Sequence, residues 1–245
     1  MKLKISDSKE QVAKEFSEYF KELATGDKTI HVALSGGSTP KIVFDYMAAH
    51  FGNEIDWSKI KFYWGDERCV PPTDSESNYK MTVDHLLSKI EISSFNIFRV
   101  LGENDPEGEA ERYSQVLDTE LPKLNEIPQF DLVMLGMGDD GHTVSIFPDS
   151  ISLWDASENC VVATHPDSGQ KRVTITGKIV NNAKAVAFLV TGAGKAQKVQ
   201  EIIKKENDFA LYPANLVQPS HGELIWFMDK DAAKGISQNP SSTIL

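Results

Sequence analysis

Cysteine is scarce in this chain of 245 residues, which contains only Cys69 and Cys160. The two positions do not form the C-x-x-C spacing of a metal or redox site, and a chain of this length can build a hydrophobic core without a disulfide. We therefore expect both thiols to be reduced, as in the cytoplasm.

Long hydrophobic runs are also missing. The longest purely apolar run covers 185–190, whereas a membrane-spanning helix needs about 20 apolar residues. The N-terminal segment MKLKISDSKE has no apolar stretch like that of a secretory signal. We expect a cytoplasmic protein without a membrane partner. Since 40% of the residues are hydrophobic and 25% are charged, we also expect one globular domain over 1–245.

Positive charge is in the minority, because 25 lysines and arginines face 36 acidic residues and the net charge is −11. Such a chain repels polyanions, which argues against nucleic acid as a partner. An acidic substrate would then need a local group of cations. An arginine inside a polar or glycine-rich motif is therefore informative, and the arginines are Arg68, Arg99, Arg112 and Arg172.

The hydrophobic pattern predicts alternating strands and helices. Apolar residues recur at helical spacing between Val12 and Leu23, after Asp7 and Glu10, which resemble a capping box. Short runs rich in β-branched and aromatic residues predict strands at 30–35, 61–66, 95–101, 130–138, 160–164, 172–176, 185–190 and 223–228. The alternation predicts an α/β fold with a doubly wound, mostly parallel sheet and helices on both faces. Ligands then bind at the carboxyl ends of the strands. The polar segment 237–245 is expected to be a loose tail.

The first candidate motif follows the predicted strand at 30–35. Glycines there let backbone N–H groups approach an oxyanion, and Pro40 suits the first turn of a helix, whose positive dipole end favours phosphate. An ordinary strand-to-helix turn is the alternative. The candidate phosphate-binding residues are Gly36, Gly37, Ser38 and Thr39.

The second motif, at 64–68, ends another predicted strand. Arg68 has a planar guanidinium that suits phosphate or carboxylate, and Asp66 or Glu67 could orient it. A solvated cluster of charges is the alternative. Shortly after this motif, Ser77 or Asn78 is expected to cap a helix.

The third motif, Gly136–Thr143, contains G-x-G-x-x-G, yet a dinucleotide is disfavoured because Asp139 and Asp140 would repel a pyrophosphate. Instead, His142 stands two residues after Asp140 on a glycine-rich loop. A histidine with a pKa of about 6.5 can take a proton from water near neutral pH. We predict that His142 is a general base supported by Asp140. A metal site at these three polar residues is a weaker alternative, since no second group of ligands accompanies them.

The fourth motif, at 191–195, resembles half of a P-loop, but Leu189 and Ala196 depart from the full pattern and argue against nucleotide hydrolysis. Lys195 could still contact a phosphate. Arg172 could supply a second cation, or be a solvated strand end. A G-x-S-x-G sequence is absent, so a covalent acyl-enzyme is not indicated.

Taken together, these motifs resemble the 6-phosphogluconolactonase family between about residue 30 and residue 232. The matching segments are SGGSTP, WGDER, GMGDDGHTVSIFP, RVTIT, TGAGKA and PANLVQPSHGELIWFMD. The resemblance implies a doubly wound α/β fold, no cofactor and no metal, and hydrolysis of the sugar-phosphate lactone 6-phosphoglucono-δ-lactone in the oxidative pentose phosphate route. Glucosamine-6-phosphate deaminases of the same superfamily are an alternative, as is a sugar-phosphate sensor. The deaminases place an acid where this chain has Phe147.

The resemblance also assigns roles residue by residue. His142 corresponds to the family's catalytic base and Asp140 to its support. Lys195 and Arg172 correspond to phosphate ligands, with the glycine-rich loop at 36–39 completing the cradle. Arg68 would reach the ring end of the substrate. Val144 and Ile146 stand where the family usually has Ala and Leu, which predicts a difference in pocket shape.

Overall fold

The computed structural model describes residues 1–236, so the tail predicted at 237–245 lies outside the described residues. The strands are β1 (Lys2–Ser6), β2 (Ile30–Leu34), β3 (Ile60–Trp64), β4 (Asp66–Arg68), β5 (Ile97–Phe98), β6 (Lys123–Leu124), β7 (Ile127–Pro128), β8 (Leu132–Leu135), β9 (Cys160–Thr164), β10 (Lys171–Ile175), β11 (Ala185–Val190) and β12 (Glu223–Asp229). The α-helices are α1 (Lys9–Leu23), α2 (Ser38–Phe51), α3 (Asn78–His85), α4 (Pro106–Glu120), α5 (Gly177–Asn181) and α6 (Ala196–Lys204). Short 3₁₀ segments cover Trp57–Lys59, Leu87–Lys89, Ser94–Asn96, Pro148–Asp155, Ala193–Lys195, Phe209–Leu211 and Pro213–Leu216.

A parallel sheet of seven strands forms the centre, in the order β1-β12-β11-β8-β2-β3-β5. The strands β2, β8 and β11 are each buried along their whole length, as expected for parallel strands that are covered on both faces. After β2, the chain adds β3 and β5 on one side of that strand. It later adds β8, β11 and β12 on the other side. Because crossovers between parallel strands are almost always right-handed, building the sheet in two opposite directions places helices on both faces. The strand order therefore confirms the predicted doubly wound α/β fold.

The strand order reverses between β2 and β8, and the loops after these strands are therefore neighbours. A Cβ atom added to Gly136 would lie 3.7 Å from Oγ of Ser35, which shows how closely the loops approach each other. A reversal of this kind opens a crevice at the carboxyl ends of the strands. It brings the first and third sequence motifs to one place.

One part of the predicted topology is wrong. The runs at 160–164 and 172–176 do form strands, but β9 and β10 pair antiparallel in a separate sheet of order β4-β10-β9. The connection of six residues between them is too short for a parallel crossover, which takes a dozen or more. This small sheet carries Arg68 and Arg172 to the crevice on adjacent strands.

Helix α1 lies on the sheet as predicted, with the ring of Phe16 at 5.3 Å from that of Phe227 in β12. Its predicted cap is wrong by one residue, because Oγ of Ser8, not the side chain of Asp7, accepts the N–H of Gln11. At α3 the cap is Ser77, one of the two predicted residues. Within residues 1–236, no helix has the length and hydropathy needed to cross a membrane.

Candidate active site

The candidate site is a cleft of about 200 Å³ at the carboxyl ends of β2, β8 and β11. All four sequence motifs contribute to it. Of the predicted site residues in the described range, Asp140 alone is not part of the lining, and it is connected to the cleft through His142. The lining residues are Ser35, Gly36, Gly37, Ser38, Thr39, Pro40, Asp66, Arg68, Asn78, Gly136, Met137, Gly138, His142, Val144, Arg172, Leu189, Val190, Thr191 and Lys195.

His142 and Asp140 form a hydrogen-bonded pair at one wall of the cleft. Nδ1 of His142 lies 2.6 Å from Oδ1 of Asp140, and the backbone N–H of His142 donates to the same oxygen at 3.0 Å. A carboxylate only accepts hydrogen bonds, so Nδ1 carries the proton and Nε2 of the neutral ring keeps its lone pair. The ring of Phe147 packs 4.7 Å from the imidazole and limits its movement. The pair therefore presents a basic nitrogen.

The pKa of Asp140 is set by opposing effects. Burial works to raise it, but the hydrogen bonds from His142 and the attraction of the imidazole lower it below the usual value of an aspartate. Asp140 consequently stays ionised through the neutral range. An ionised carboxylate accepts a stronger hydrogen bond from Nδ1 than a neutral group would.

Glycine is required in the loop that carries this pair. A Cβ at Gly138 would come within 2.1 Å of Nδ1 of His142, so only glycine leaves room for the imidazole. Gly141 has a positive φ of 86°, and its Cβ would meet the ring of Tyr212 at 2.7 Å. The first contact packs the imidazole against the backbone at Gly138, and the second packs the loop against Tyr212.

The loop between β2 and α2 provides backbone donors on the opposite side. Gly37 has a φ of 113° and precedes α2 without a side-chain cap, so the first N–H groups of this helix remain for another acceptor. A Cβ at Gly36 would overlap Oδ1 of Asn78. The hydroxyl of Thr39 lies 2.8 Å from that of Thr191 in the fourth motif. Together with the helix dipole, this geometry suits an anion.

Arg68 and Arg172 face each other across β4 and β10 as register partners. Nη1 of Arg68 donates to the carbonyl of Glu76 at 2.6 Å, and its Nε–H is buried without a partner among the described residues. The expectation that Asp66 or Glu67 orients this guanidinium is wrong. The carboxylate of Glu67 instead accepts backbone N–H groups at the start of α3, because these donors have no partner within the helix.

Arg172 is buried, with 8% of its surface exposed, so the alternative of a solvated strand end is wrong. Its guanidinium lies over the ring of Phe147 at 5.6 Å. Nη1 is 3.5 Å from Oγ of Ser145, which donates to Oδ2 of Asp66 at 2.5 Å. Burial and the neighbouring charge of Arg68 lower the pKa of Arg172. An anion bound beside both guanidinium groups would relieve their repulsion.

Lys195 stands at the end of the fourth motif and leads into α6. The preceding Gly192 has a φ of 95°, and its N–H donates to both carboxylate oxygens of the buried Asp229 at 3.0 Å. Nζ of Lys195 lies 2.6 Å from Oδ1 of Asp139. The loop is thus anchored by a buried carboxylate, while its lysine contacts an acid of the third motif.

Sequence reasoning did not assign Asn78, which lines the cleft, or Ser145, which contacts Arg172 beside it, to the site. Asp66 and Ser145 form the hydrogen-bonded pair described above, and Asn78 donates from Nδ2 to the carbonyl of Asp66 at 2.9 Å. The sequence indicates Asn78 only as a possible helix cap, and Ser145 carries no local signal of its own. Within residues 1–236, no group of three or more His, Cys, Asp or Glu side chains could hold a metal ion.

Comparison with known proteins identifies a family that this chain matches over most of its length. The family model of glucosamine-6-phosphate isomerases and 6-phosphogluconolactonases matches residues 5–226. A 6-phosphogluconolactonase of Treponema pallidum is 45% identical over 202 residues, which cover 82% of this chain and 84% of the relative. One from Aggregatibacter actinomycetemcomitans is 40% identical over 226 residues, covering 92% and 94%.

Solved structures agree with this result. The 6-phosphogluconolactonase of Trypanosoma brucei superposes with a TM-score of 0.84 at 26% identity, covering 96% of this chain and 98% of that one. The family model spans most of the chain, and both bacterial relatives exceed the similarity at which a shared family is secure. This protein therefore belongs to the family of glucosamine-6-phosphate isomerases and 6-phosphogluconolactonases.

Proposed function

We propose that this protein hydrolyses 6-phosphoglucono-δ-lactone to 6-phosphogluconate, with His142 as the general base. The names of the bacterial relatives support the substrate. The observation that carries the mechanism is the pairing of His142 with Asp140 in a cleft that also contains Arg68, Arg172 and Lys195. A base and a group of cations are what hydrolysis of an anionic ester requires.

The phosphate end of the substrate is bound by the backbone donors at the start of α2 together with Lys195 and Arg172. The helix dipole, the point charge of the lysine and the fork of the arginine each favour a phosphoryl oxygen. The hydroxyl pair of Thr39 and Thr191 closes this side. Anchoring the phosphate turns attack on the lactone into a reaction within one complex.

The chemical step takes place at the lactone carbonyl. Nε2 of His142 removes a proton from water as the water oxygen bonds to the carbonyl carbon, and Asp140 stabilises the imidazolium. The tetrahedral intermediate then breaks its bond between carbon and ring oxygen, and the imidazolium returns its proton to the departing oxygen. Arg68 lies at the ring end, where its guanidinium stabilises the developing oxyanion. Water is consumed, and the new carboxylic acid releases one proton to solvent.

Phe147 distinguishes this reaction from deamination of glucosamine 6-phosphate. Isomerisation between aldose and ketose moves protons between carbon and oxygen and needs a further acid or base. Here that position holds a buried aromatic ring beside the imidazole, with 1% of its surface exposed. Lactone hydrolysis needs only the one base.

The test is proton release from freshly generated 6-phosphoglucono-δ-lactone in weak buffer, corrected for spontaneous hydrolysis. We expect rapid turnover that a chelator leaves unchanged, and no ammonia from glucosamine 6-phosphate.

His142→Ala should lower kcat by about 10²–10⁴-fold with little change in KM, because a general base contributes this much. The exposed His221→Ala is the matched control. Unaltered turnover by His142→Ala would refute the assignment of the base.

A further inference from the structure

The ion pair between Lys195 and Asp139 occupies the phosphate side of the cleft. Nζ of Lys195 is 2.6 Å from Oδ1 of Asp139, and the side chain of Asp139 is 82% exposed while that of Lys195 is 24% exposed. The lysine is thus largely enclosed by the site, and its partner reaches it from the solvent side. Sequence reasoning identified Lys195 as a cation and gave Asp139 no role in substrate binding.

Asp139 and Asp140 are adjacent in the chain, but they contact different parts of the site. Asp140 contacts His142, whereas Asp139 contacts Lys195 on the loop after β11. Asp139 therefore connects the loop after β8, which carries His142, with the loop after β11, which carries Lys195. Its main-chain neighbours are held in place, because the N–H of Gly138 donates to the carbonyl of His142 at 2.9 Å and that of Gly141 to Gly138 at 3.1 Å. An exposed side chain on a fixed backbone can leave its partner without rearranging the catalytic pair.

A phosphoryl group that binds Lys195 meets this carboxylate at close range. Two anions that share one ammonium group repel each other strongly unless one of them moves away. Because its second pKa is about 6, a phosphate ester carries about 1.5 to 2 negative charges near neutral pH. A carboxylate carries one charge, so the phosphate is the stronger competitor for the lysine. A neutral sugar lactone offers no such competitor and leaves the ion pair intact.

We propose that Asp139 is a competing counter-ion of Lys195, which a phosphoryl group displaces and an unphosphorylated lactone leaves in place. The proposal rests on the proposed function for the identity of the substrate. Asp139 neutralises the lysine when the site is empty and weakens the binding of every anion there. Because a neutral lactone does not compete for the lysine, this counter-ion lowers the affinity for the phosphorylated substrate alone.

The first experiment measures the binding of inorganic phosphate by titration calorimetry to the full-length chain and to Asp139→Asn. We expect phosphate to bind about threefold to tenfold more tightly to the variant, since an exposed ion pair contributes up to about fivefold and the repulsion of the ligand adds to it. Asp84→Asn is the matched control, because it removes one charge from an exposed Lys80–Asp84 pair outside the cleft. The difference should shrink as the salt concentration rises.

A second pair of variants tests whether the effect acts through the lysine. In the background of Lys195→Met, the additional change Asp139→Asn should alter phosphate affinity much less than it does in the native chain. Equal or weaker phosphate binding by Asp139→Asn would overturn the proposal, since Asp139 would then only position the lysine. An undiminished gain in the Lys195→Met background, or an equal gain in Asp84→Asn, would overturn it as well.

Kinetics separate this proposal from the assignment of the reaction. For 6-phosphoglucono-δ-lactone, KM of Asp139→Asn should fall by the same factor as the phosphate dissociation constant, with kcat little changed. For unphosphorylated glucono-δ-lactone, kcat/KM should stay the same. A chain that hydrolyses neither lactone contradicts the proposed function, while the phosphate titrations still decide the role of Asp139. A fall in KM of equal size for both lactones would contradict the counter-ion role.

Discussion

Nδ1 of His142 and Oδ1 of Asp140 are 2.6 Å apart, and the same oxygen also accepts the backbone N–H of His142 at 3.0 Å. One carboxylate oxygen thereby determines both the tautomer and the orientation of the ring. Because the two contacts are made across only two residues of chain, the proposed catalytic pair is assembled within one loop. In the proposed complex, the other loops of the cleft bind the substrate.

Asp140→Asn should lower kcat by about tenfold or more, and by less than His142→Ala, which removes the base entirely. The amide keeps the size of the side chain but carries no charge to stabilise the imidazolium, and its NH₂ group can select the wrong tautomer. Steady-state kinetics of lactone hydrolysis measure the effect. The control is Asp27→Asn, a fully exposed aspartate before the amino end of β2, at the opposite edge of the sheet. Equal kcat in Asp140→Asn and the native chain would contradict the supporting role.

Gly138→Ala should reduce kcat strongly without unfolding the protein. The added methyl group would lie 2.1 Å from Nδ1 of His142 and 2.5 Å from Oδ1 of Asp140, so the pair has to move apart. A displacement of about 1 Å in a catalytic group can cost on the order of 10²-fold in rate. Gly108→Ala in α4 is the matched control, since its nearest contact would be 3.4 Å. Circular dichroism verifies folding, and full activity of Gly138→Ala would show that the pair is not needed in this geometry.

Lys195→Ala should chiefly raise KM, by roughly tenfold to a hundredfold, because a hydrogen bond to a charged group contributes about 1.5–3 kcal/mol. In the proposed complex the lysine binds the phosphate, which does not react, so kcat should change much less. Lys204→Ala, an exposed position in the last turn of the same α6 helix, controls for the loss of one positive charge. A large fall in kcat at unchanged KM would place Lys195 at the reacting carbonyl instead.

Stability should depend on pH through His31, which is buried in β2 with Nδ1 at 3.2 Å from the hydroxyl of Tyr63. Burial lowers the pKa of His31 below its usual value, against the attraction of Asp131. The folded state therefore binds this proton less readily than the unfolded chain. Its contribution is present above the unfolded pKa of about 6.5 and is lost as the pH falls through the lower folded pKa.

Thermal unfolding from pH 7.5 to pH 5 tests this dependence. The native chain should lose more Tm on acidification than His31→Gln, which has no group to protonate there. His50→Gln, an exposed histidine near the end of α2, should follow the native chain. An identical pH dependence in native protein and His31→Gln would assign the acid sensitivity to other groups.

Much of the fold could be predicted from local pattern. The runs at 30–35 and 185–190 are short, apolar and β-branched, and both are strands of the parallel sheet. The strand β1 was not predicted, because it is an edge strand with an alternating exposure and two lysines. The prediction that β9 and β10 belong to the parallel sheet was wrong for a different reason. Strand propensity identifies a strand, but hydrogen bonding to a distant segment such as β4 decides which sheet it joins.

The sequence by itself determined that Asp140 and His142, the proposed catalytic pair, lie close together, because they are two residues apart and Gly138 leaves room for both side chains. It also determined the doubly wound sheet, since hydrophobic periodicity and connection length are local properties. The tertiary structure alone decided which charges meet. Arg68 neighbours Arg172 because β4 pairs with β10, and Asp139 reaches Lys195 because the loops after β8 and β11 end at the same edge of the sheet. Electrostatic interactions depend on distance in space, which strand order sets and sequence separation does not.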